Sequence, residues 1–388
     1  MKWSSKGHEF DNRIEEMKKR IGEVPKVYIF GAGLVGKREA ELYKKLECLE
    51  GFIDNDKNKI GLDYEGCKVI SFDEYLNKRD GFIIIGVGRK NKASVIQQME
   101  LAGLVRDKDF FELQDFEDII LPLLEYNNDL VYVKLAQISL TERCTLHCKK
   151  CAHGCYAVPP TKADLQISEV YRSADAFFGI VDYIQEFVLI GGEPFLYREM
   201  DKAISYIGDK YREKIGIFSI TTNGTIIPNE EIMRLCNKYD VTIRISNYQI
   251  AIPGLKKQYE LLTNILSDHG VRYYLGAENH QWMDYGFDYV NHGGEEDKLI
   301  EVFDKCKTPC REIRGDRYYY CVMARTVSEN LGFNNGKEDY LDLRKNNGNK
   351  KIFIEFERGF SDKGYLDMCN YCHGAEVVNH LIPVAEQV

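Results

Sequence analysis

The sequence predicts an α/β protein built from three consecutive regions, 1–130, 131–300 and 301–388. Short apolar segments alternate with helical segments through the first two regions, which is the pattern of parallel sheets with crossover helices. A glycine-rich loop directly follows the first predicted strand. Cysteines collect in a triplet soon after residue 140 and again in the third region. These observations predict two α/β regions followed by a smaller region that bears cysteines.

Composition and charge narrow the class of protein. The 388 residues are 44% hydrophobic and 12% aromatic, which is enough for ordered cores. The formal net charge of −9 argues against a nucleic-acid partner, because phosphate binding favours a basic face. No apolar run approaches the roughly 20 residues of a membrane helix, and residues 1–10 lack the apolar core of a signal peptide. We therefore expect a cytoplasmic protein without a membrane partner.

The chain has 12 cysteines, which indicates metal or redox chemistry because disulfides are rare in the cytosol. Three of them stand singly in ordinary helix or strand contexts: Cys48, Cys67 and Cys236. We expect these three to be buried structural thiols.

The first region opens with a helical pattern and continues with alternating strands and helices. Its amphipathic opening places four apolar residues on one face, namely Phe10, Ile14, Met17 and Ile21. Strands are predicted at Val27–Phe30, in a segment that ends at Asp54, at Lys68–Ile70 and at Phe82–Ile85. Residues 115–128 are predicted to connect this region to the next.

Three glycines lie in the turn between the first predicted strand and the helix that follows it. Gly31, Gly33 and Gly36 form a G-x-G-x-x-G pattern, and Asp54 follows about 20 residues later. Such glycines let a pyrophosphate approach a helix N-terminus, and the acidic residue can bind ribose hydroxyls. The region resembles small Rossmann-like domains of sugar acyltransferases and other glycan-building enzymes, which implies a nucleotide or nucleotide-sugar ligand. NAD and a docking domain without a ligand are the alternatives.

The second region also alternates between strands and helices. Strands are predicted at Ala136–Leu140, Phe187–Ile190, Ile217–Thr221, Thr242–Ile245 and Val271–Leu275. Helices are predicted between them, for example at Ser168–Gly179 and Glu230–Lys238. The pattern is typical of a full or partial α/β barrel, in which chemistry gathers at the carboxyl ends of the strands.

A cysteine triplet follows the first strand of this region. Cys144, Cys148 and Cys151 have the spacing C-x3-C-x2-C on one loop. Three thiolates are one fewer than the four that complete a cubane cluster or a structural zinc site, so one metal position stays open for chemistry. The alternatives are a chance cluster or a zinc site that borrows His147, His153 or Cys155.

The triplet resembles the cluster-binding loop of the radical S-adenosylmethionine (radical SAM) superfamily, and similar motifs follow in the family's order. Gly191-Gly192-Glu193-Pro194 is similar to the GGEP motif, and Thr221-Thr222-Asn223-Gly224 to the TNG segment. The resemblance implies that the glycine backbone and Glu193 hold the methionine amino group. It also implies that polar residues such as Asn223 meet the cofactor, with Ser246 at the ribose and Arg244 at the carboxylate. Lys150 departs from the family, which usually has an aromatic residue near the adenine at this position.

The resemblance further implies the cofactors and the reaction. A [4Fe-4S] cluster would bind S-adenosylmethionine at its open iron and cleave it reductively to a 5′-deoxyadenosyl radical, which removes hydrogen from a substrate. An electron donor such as flavodoxin or ferredoxin is implied as a partner.

The third region is predicted to be irregular, apart from a short β-like stretch at Arg317–Tyr320, and holds a second cysteine set. The set comprises Cys306, Cys310, Cys321, Cys369 and Cys372. Together with Gly315, it resembles the SPASM or shorter twitch domain, which binds an auxiliary [4Fe-4S] cluster. The set suffices for one cluster, with either Cys306 or Cys310 as the first ligand. A zinc ribbon or knuckle is the alternative, because C-x2-C pairs also bind zinc.

The combined regions suggest a radical enzyme that oxidises, epimerises or deoxygenates a carbohydrate, such as a nucleotide-linked sugar. The alternatives are a peptide-modifying radical maturase and a non-catalytic iron–sulfur or zinc-binding module. Four residues are conceivable final hydrogen donors or acceptors: Cys155, Tyr318, Tyr319 and Tyr320.

Overall fold

The structure, a computed structural model, describes residues 26–113, 116–117, 121–333, 339–360, 363–375 and 380–388. Within these ranges the chain forms two compact units, 26–130 and 131–388, which are described separately. The predicted opening helix with Phe10 to Ile21 lies outside the described residues. Across the described ranges, no helix combines the length and the apolar character that a membrane span requires.

The first unit is a mixed α/β layer around a six-stranded sheet. Its strands are β1 (Val27–Phe30), β2 (Leu49–Ile53), β3 (Asp63–Tyr64), β4 (Cys67–Ile70), β5 (Phe82–Ile85) and β6 (Phe110–Glu112). Its helices are α1 (Leu34–Lys45), α2 (Phe72–Lys78), α3 (Arg89–Leu101) and α4 (Leu121–Asn128). The strand order is β3-β4-β2-β1-β5-β6, and all neighbours are parallel except the β3–β4 pair. The predicted strands of this region are therefore confirmed.

Strand β1 lies at the centre of this sheet and is buried along its whole length. A parallel sheet covered on both faces needs such continuous apolar strands. The strand order changes direction between β1 and β5, so the loops after these two strands meet at one edge.

The glycine loop after β1 is shaped by close backbone contacts. Gly31 has a φ of 120°, and a Cβ on Gly36 would lie 2.1 Å from the Gly31 carbonyl oxygen. Only glycine permits both features. Gly33 has no atom within 4 Å of the position of a Cβ. The loop therefore packs tightly at its first and third glycines and is open at its second.

The second unit contains an eight-stranded mixed sheet. Its strands, with the small β12–β16 pair, are β7 (Tyr132–Ser139), β8 (Tyr183–Ile190), β9 (Ile215–Thr222), β10 (Val241–Ile245), β11 (Tyr273–Leu275), β12 (Trp282–Met283), β13 (Arg311–Arg314), β14 (Arg317–Tyr319), β15 (Tyr340–Asp342) and β16 (Leu381–Ile382). Its helices are α5 (Ile167–Phe178), α6 (Met200–Tyr211), α7 (Glu230–Lys238), α8 (Leu255–Asp268), α9 (Glu296–Lys305), α10 (Val322–Leu331) and α11 (Lys350–Glu357).

The strand order of this sheet is β11-β10-β9-β8-β7-β13-β14-β15. Strands β7 to β11 are parallel, β13 is parallel to β7, and β14 and β15 are antiparallel additions. The described sheet is open, with β11 and β15 at its edges. Of the two barrel forms expected from the sequence, only the partial one is compatible with this order.

Crossover helices cover the parallel strands as the sequence pattern predicts. Helix α5 buries Val170, Ala174 and Phe177, which share one face because they are four and three residues apart. The ring centroids of Phe177 and Phe187 on β8 are 6.1 Å apart. Helix α7 has the predicted bounds, and its N-cap Asn229 accepts a hydrogen bond from the backbone N–H of Ile232.

The prediction that the third region is irregular was wrong. Helices α10 and α11 and strands β13 to β15 lie in its described part. The β-like stretch predicted at Arg317–Tyr320 corresponds to β14, whereas β13 and β15 were missed because each is only three or four residues long. Their partners, β7 among them, come from the main sheet.

Candidate functional site

A cavity of about 400 Å³ lies at the carboxyl ends of β7 to β10. Cys144, Cys148 and Cys151 line one side of it. Residues from the turn after β8 and from the ends of the next two strands line it as well, namely Gly191, Gly192, Asn223 and Ser246. The motifs found separately in the sequence therefore meet in one place, because parallel neighbouring strands end at the same edge.

The turn after β8 is built directly against the cysteine loop. The Gly192 N–H donates to the Thr141 carbonyl oxygen at 2.8 Å, and the Glu193 N–H donates to the Arg143 carbonyl oxygen at 2.9 Å. A Cβ on Gly191 would lie 2.4 Å from the Thr141 carbonyl oxygen. These positions need glycine because backbone meets backbone there.

We expect Gly192→Ala to displace the cysteine loop and to lower iron incorporation and S-adenosylmethionine binding. The added Cβ would lie 2.3 Å from the Arg143 carbonyl oxygen and 2.9 Å from the Cys144 Cβ. Overpacking of this kind costs about 1–3 kcal/mol. Gly254→Ala is the matched control, since its Cβ would meet no atom within 4 Å. Iron content and thermal stability of both variants test this, and wild-type values for Gly192→Ala would contradict it.

Glu193 is fully buried and its carboxylate is directed at the end of β9. It accepts hydrogen bonds from the Thr222 hydroxyl at 2.8 Å and from the Asn223 N–H at 2.9 Å. The cavity lining includes Gly191 and Gly192 but not the Glu193 side chain. Glu193 therefore ties the turn after β8 to the end of β9, and its predicted contact with the cofactor amino group stays a prediction. Pro194, also predicted, is buried at the start of the short 3-10 helix Pro194–Leu196.

Burial raises the pKa of Glu193 from 4.5 to about 7. The folded protein then holds this proton more tightly than the unfolded chain, so the stability of the metal-free protein should fall as pH rises from about 4.5 to about 7. The full shift corresponds to roughly 3 kcal/mol. We expect Glu193→Gln, measured by thermal unfolding beside the wild type, to lack this component of the pH dependence. Parallel profiles for the two proteins would contradict the assignment.

The thiols of the triplet lie in different surroundings. Burial raises the pKa of Cys144 to about 11 and that of Cys148 to about 12. A hydrogen bond from the Cys155 thiol lowers the pKa of Cys151. The Asn223 side-chain amide donates to the Cys144 Sγ at 3.5 Å. Asn223 thus contacts the cysteine loop directly, as its position at the end of β9 allows.

Among the described residues, no three His, Cys, Asp or Glu side chains are arranged to share a single metal ion. In a cubane each thiolate binds its own iron at a separate corner, so cluster ligands stand further apart than the ligands of one ion. The choice between a cluster and a zinc site therefore stays a prediction.

Arg244, a predicted cofactor contact, and Lys150, the departure from the family pattern, both pair with acidic side chains. Arg244 does not line the cavity and forms an ion pair with Glu186 on β8. Lys150 does line the cavity, and its Nζ lies 2.6 Å from a carboxylate oxygen of Asp288 and 4.6 Å from the centre of the Tyr289 ring. The cavity has aromatic side chains elsewhere, at Tyr248, Trp282 and Tyr285.

The second cysteine set also gathers within the described part of the chain. Cys321, Cys369 and Cys372 share one buried cluster. Burial raises the pKa of Cys372, and the thiols of Cys321, Cys306 and Cys369 add to that rise. Burial also raises the pKa of Cys310, but the charges next to Cys310 come from Arg311, Glu186 and Arg244. Cys306 lies close enough to act on the Cys372 thiol, and Cys310 packs against the same buried cluster, so the choice between them stays a prediction.

The Asp54 side chain forms hydrogen bonds with the candidate nucleotide-binding loop and with the segment that follows β2. The Asp54 carboxylate accepts hydrogen bonds from the Ala32 N–H at 2.9 Å, from the Lys59 Nζ at 3.1 Å and from the Asp56 N–H at 2.9 Å. Lys59 also donates to the Ala32 carbonyl oxygen at 3.0 Å. Asp54 thus fixes the loop that contains Gly31 and Gly33.

The remaining predicted residues lie away from the cavity lining. This applies to Cys155, Tyr318, Tyr319 and Tyr320. The Tyr318 hydroxyl donates to Glu357 at 2.6 Å within the core. Cys48 and Cys236 are buried, as expected for structural thiols, and Cys67 is half-buried.

A buried ion network near the cysteine loop was missed by the sequence analysis. Arg325 on α10 is fully buried, and its guanidinium lies 2.7 Å from Glu142 and 2.9 Å from Glu312. Burial alone would raise the pKa of Glu142, but Arg325 holds it below its usual range. Glu142 directly precedes the cysteine loop, so the network holds that loop in place. The one available signal was a charged residue in the apolar run Cys321-Val322-Met323-Ala324-Arg325.

The comparisons with known proteins agree with this geometry. The family model described as the radical SAM superfamily matches residues 138–257, which include the cysteine triplet and the strand ends of the cavity. A GTP 3′,8-cyclase of Stenotrophomonas maltophilia is 34% identical over 92 residues, covering 24% of this chain and 27% of that protein. A GTP 3′,8-cyclase of Ectopseudomonas mendocina is 28% identical over 100 residues, covering 26% of this chain and 28% of that protein. The chain thus spans little more than a quarter of these curated relatives.

Solved structures show a more distant likeness. BtrN in complex with AdoMet and 2-DOIA has a TM-score of 0.42 at 12% identity, covering 64% of this chain and 98% of that one. Native anSMEcpe with bound AdoMet has a TM-score of 0.40 at 12% identity, covering 65% of this chain and 93% of that one. At these TM-scores the likeness carries no argument about this chain.

Proposed function

We propose that this chain, whose residues 138–257 match the radical SAM family model, is a radical SAM enzyme that cleaves S-adenosylmethionine reductively on a [4Fe-4S] cluster held by Cys144, Cys148 and Cys151. The observation that carries the proposal is the single cavity. The three thiols, the Gly191-Gly192 backbone and the ends of β9 and β10 border it together.

The donor set fits such a cluster. The loop provides three soft thiolate ligands, one fewer than a closed cubane takes, and thiolates are the ligands that iron–sulfur clusters use. When bound, the cluster supplies the electron that breaks a carbon–sulfur bond of S-adenosylmethionine and so starts hydrogen abstraction from the substrate.

The chain's own residues would position the cofactor. Gly191 and Gly192 would let the backbone approach the methionine moiety, and we assign the ribose to Ser246, which lines the cavity. The ring centroids of Tyr248 and Trp282 are 5.6 Å apart in the cavity wall. We assign the adenine to these rings, because Lys150 stands where the family usually has an aromatic residue.

The grouped cysteines support a second, auxiliary [4Fe-4S] cluster. We assign three of its ligands to Cys321, Cys369 and Cys372 and the fourth to Cys306 or Cys310, because Cys306 acts on the Cys372 thiol and Cys310 packs against the same buried cluster. This assignment makes residues 301–388 a SPASM- or twitch-like domain.

A nucleotide-linked sugar is our proposed substrate class, and oxidation, epimerisation or deoxygenation is the proposed outcome. Support comes from the first unit, where Gly31, Gly33 and Gly36 lead into α1 beside the edge at which the strand order reverses. We propose that residues 1–130 are a Rossmann-like nucleotide-binding domain, with Asp54 fixing its loop, and that 131–300 form the partial barrel.

The test is anaerobic reconstitution with iron and sulfide, reduction by dithionite or flavodoxin, and quantification of 5′-deoxyadenosine. Candidate nucleotide sugars are added one at a time, with GTP included because the curated relatives are named for it. We expect formation above background and stimulation by at least one nucleotide sugar. Stimulation by a leader peptide alone would favour the peptide-maturase alternative, and zinc without iron would favour the non-catalytic module.

A further inference from the structure

Residues 384–388 lie against the cysteine loop as a short antiparallel segment. Cys148 and Gln387 form an antiparallel bridge. The Lys149 N–H donates to the Glu386 carbonyl oxygen at 2.7 Å, and the Val388 N–H donates to the His147 carbonyl oxygen at 2.8 Å. Just before this segment, β16 pairs with β12, whose Trp282 lines the cavity.

The segment is also fixed by apolar contacts. Ala385 is fully buried and Val384 is 4% exposed. Both pack in one cluster with Cys148, and Leu146 and Trp282 pack against it. Loss of these contacts would leave the cluster-binding loop with an exposed edge.

Both polar atoms of the Gln387 side chain, Oε1 and Nε2, form hydrogen bonds. Its Oε1 accepts from the His147 N–H at 2.9 Å, and its Nε2 donates to the Ala385 carbonyl oxygen at 2.7 Å. The Nε2 also lies 3.3 Å from the Cys148 Sγ, to which it donates. If the amide were flipped, its NH2 group would face the His147 N–H and its oxygen would face the Ala385 carbonyl oxygen, and neither pair can form a hydrogen bond. The observed orientation is therefore fixed, and it directs an amide N–H at the Cys148 sulfur.

We propose that residues 384–388 form a clasp on the cysteine loop, and that the Gln387 amide raises the reduction potential of the cluster bound there. A hydrogen bond to a ligand sulfur stabilises negative charge, and the reduced cluster carries one more negative charge than the oxidised one. Gln387 is thus a positioning residue that makes the cluster easier to reduce. The inference rests on the proposed ligation by Cys148.

The experiment is a redox titration of the reconstituted protein, followed by electron paramagnetic resonance. The signal that changes on addition of S-adenosylmethionine is the one titrated, because only the cluster with an open iron binds it. We expect Gln387→Leu to lower the ratio of reduced to oxidised cluster about tenfold at a fixed potential, which is about 59 mV for a one-electron couple. Gln387→Glu keeps the acceptor for His147 but cannot donate, and it should shift the potential in the same direction.

Glu386→Gln is the matched control. The Glu386 side chain is 60% exposed and pairs only with Lys149 in the described contacts, so its replacement should leave the potential unchanged. Hydrogen exchange of residues 146–151 in the metal-free protein tests the clasp without a cluster. Exchange should be faster in Gln387→Leu and unchanged in Glu386→Gln.

The outcomes separate this inference from the proposed function. If the wild-type protein binds no iron at the loop, the proposed function is wrong, and the inference about Gln387 is wrong as well because it depends on that cluster. If the wild type loads a cluster and both Gln387 variants keep its potential, the inference alone is overturned. If the Gln387 variants lose iron while Glu386→Gln retains it, with faster exchange in the loop, the clasp is supported.

Discussion

Cys148→Ala is expected to abolish 5′-deoxyadenosine formation and to remove the iron of one cluster. Cys148 is 7% exposed and lies between the cavity and residues 384–388, so no solvent-borne thiol can readily replace it. A cubane held by only two protein thiolates at this loop loses the ligand count that keeps it bound. Iron quantification and product analysis after reconstitution provide the measurement.

The control for this result is Cys236→Ala. Cys236 is also buried, on α7, and lies outside the cavity lining, so its loss should cost stability but not iron or product. The far-ultraviolet circular dichroism of Cys148→Ala should match that of the wild type. A Cys148→Ala protein that still forms 5′-deoxyadenosine would contradict the ligand assignment.

Arg325→Met is expected to lower the free energy of unfolding by about 3–5 kcal/mol at neutral pH. The substitution leaves the carboxylates of Glu142 and Glu312 buried without their cation, and that penalty is larger than the value of the ion pair itself. The loss should shrink as pH falls, because protonation removes the uncompensated charges. Chemical denaturation of the metal-free protein at several pH values measures it.

Two further variants distinguish this mechanism from a packing defect. Arg234→Met removes an arginine that is 60% exposed and paired with Glu231, and it should change stability by no more than about 0.5 kcal/mol. Adding Glu142→Gln and Glu312→Gln to Arg325→Met should recover much of the lost stability. A triple variant as unstable as Arg325→Met alone would show that the buried charges are not the cause.

The sequence predicted the parallel sheets well because their strands carry strong local signals. Val27–Phe30 is apolar and buried, Phe82–Ile85 is apolar and buried from Ile83 onwards, and both were predicted with their observed bounds. Glu230–Lys238 had a clear amphipathic pattern and an Asn cap. The added strands β13 to β15 were not fully predicted, because a strand of three or four residues is specified by its partners.

The site was predictable where motifs are short and continuous, and not where it depends on distant contacts. The triplet and Gly191-Gly192 could be placed from their spacing after successive strands. The approach of Gln387 to Cys148 spans 239 residues of sequence, and that of Arg325 to Glu142 spans 183, so no local pattern reports either contact. Arg244 was predicted from its position at a strand end, but Glu186 on the neighbouring strand pairs with it.

The most direct test of the central claim is electron–nuclear double resonance on the reduced, reconstituted protein with S-adenosylmethionine isotopically labelled at its amino nitrogen. We predict a coupling between that nitrogen and the cluster held by Cys144, Cys148 and Cys151, and its loss in Cys148→Ala. A reduced cluster that shows no coupling to the labelled nitrogen, in protein with full iron content, would contradict the account.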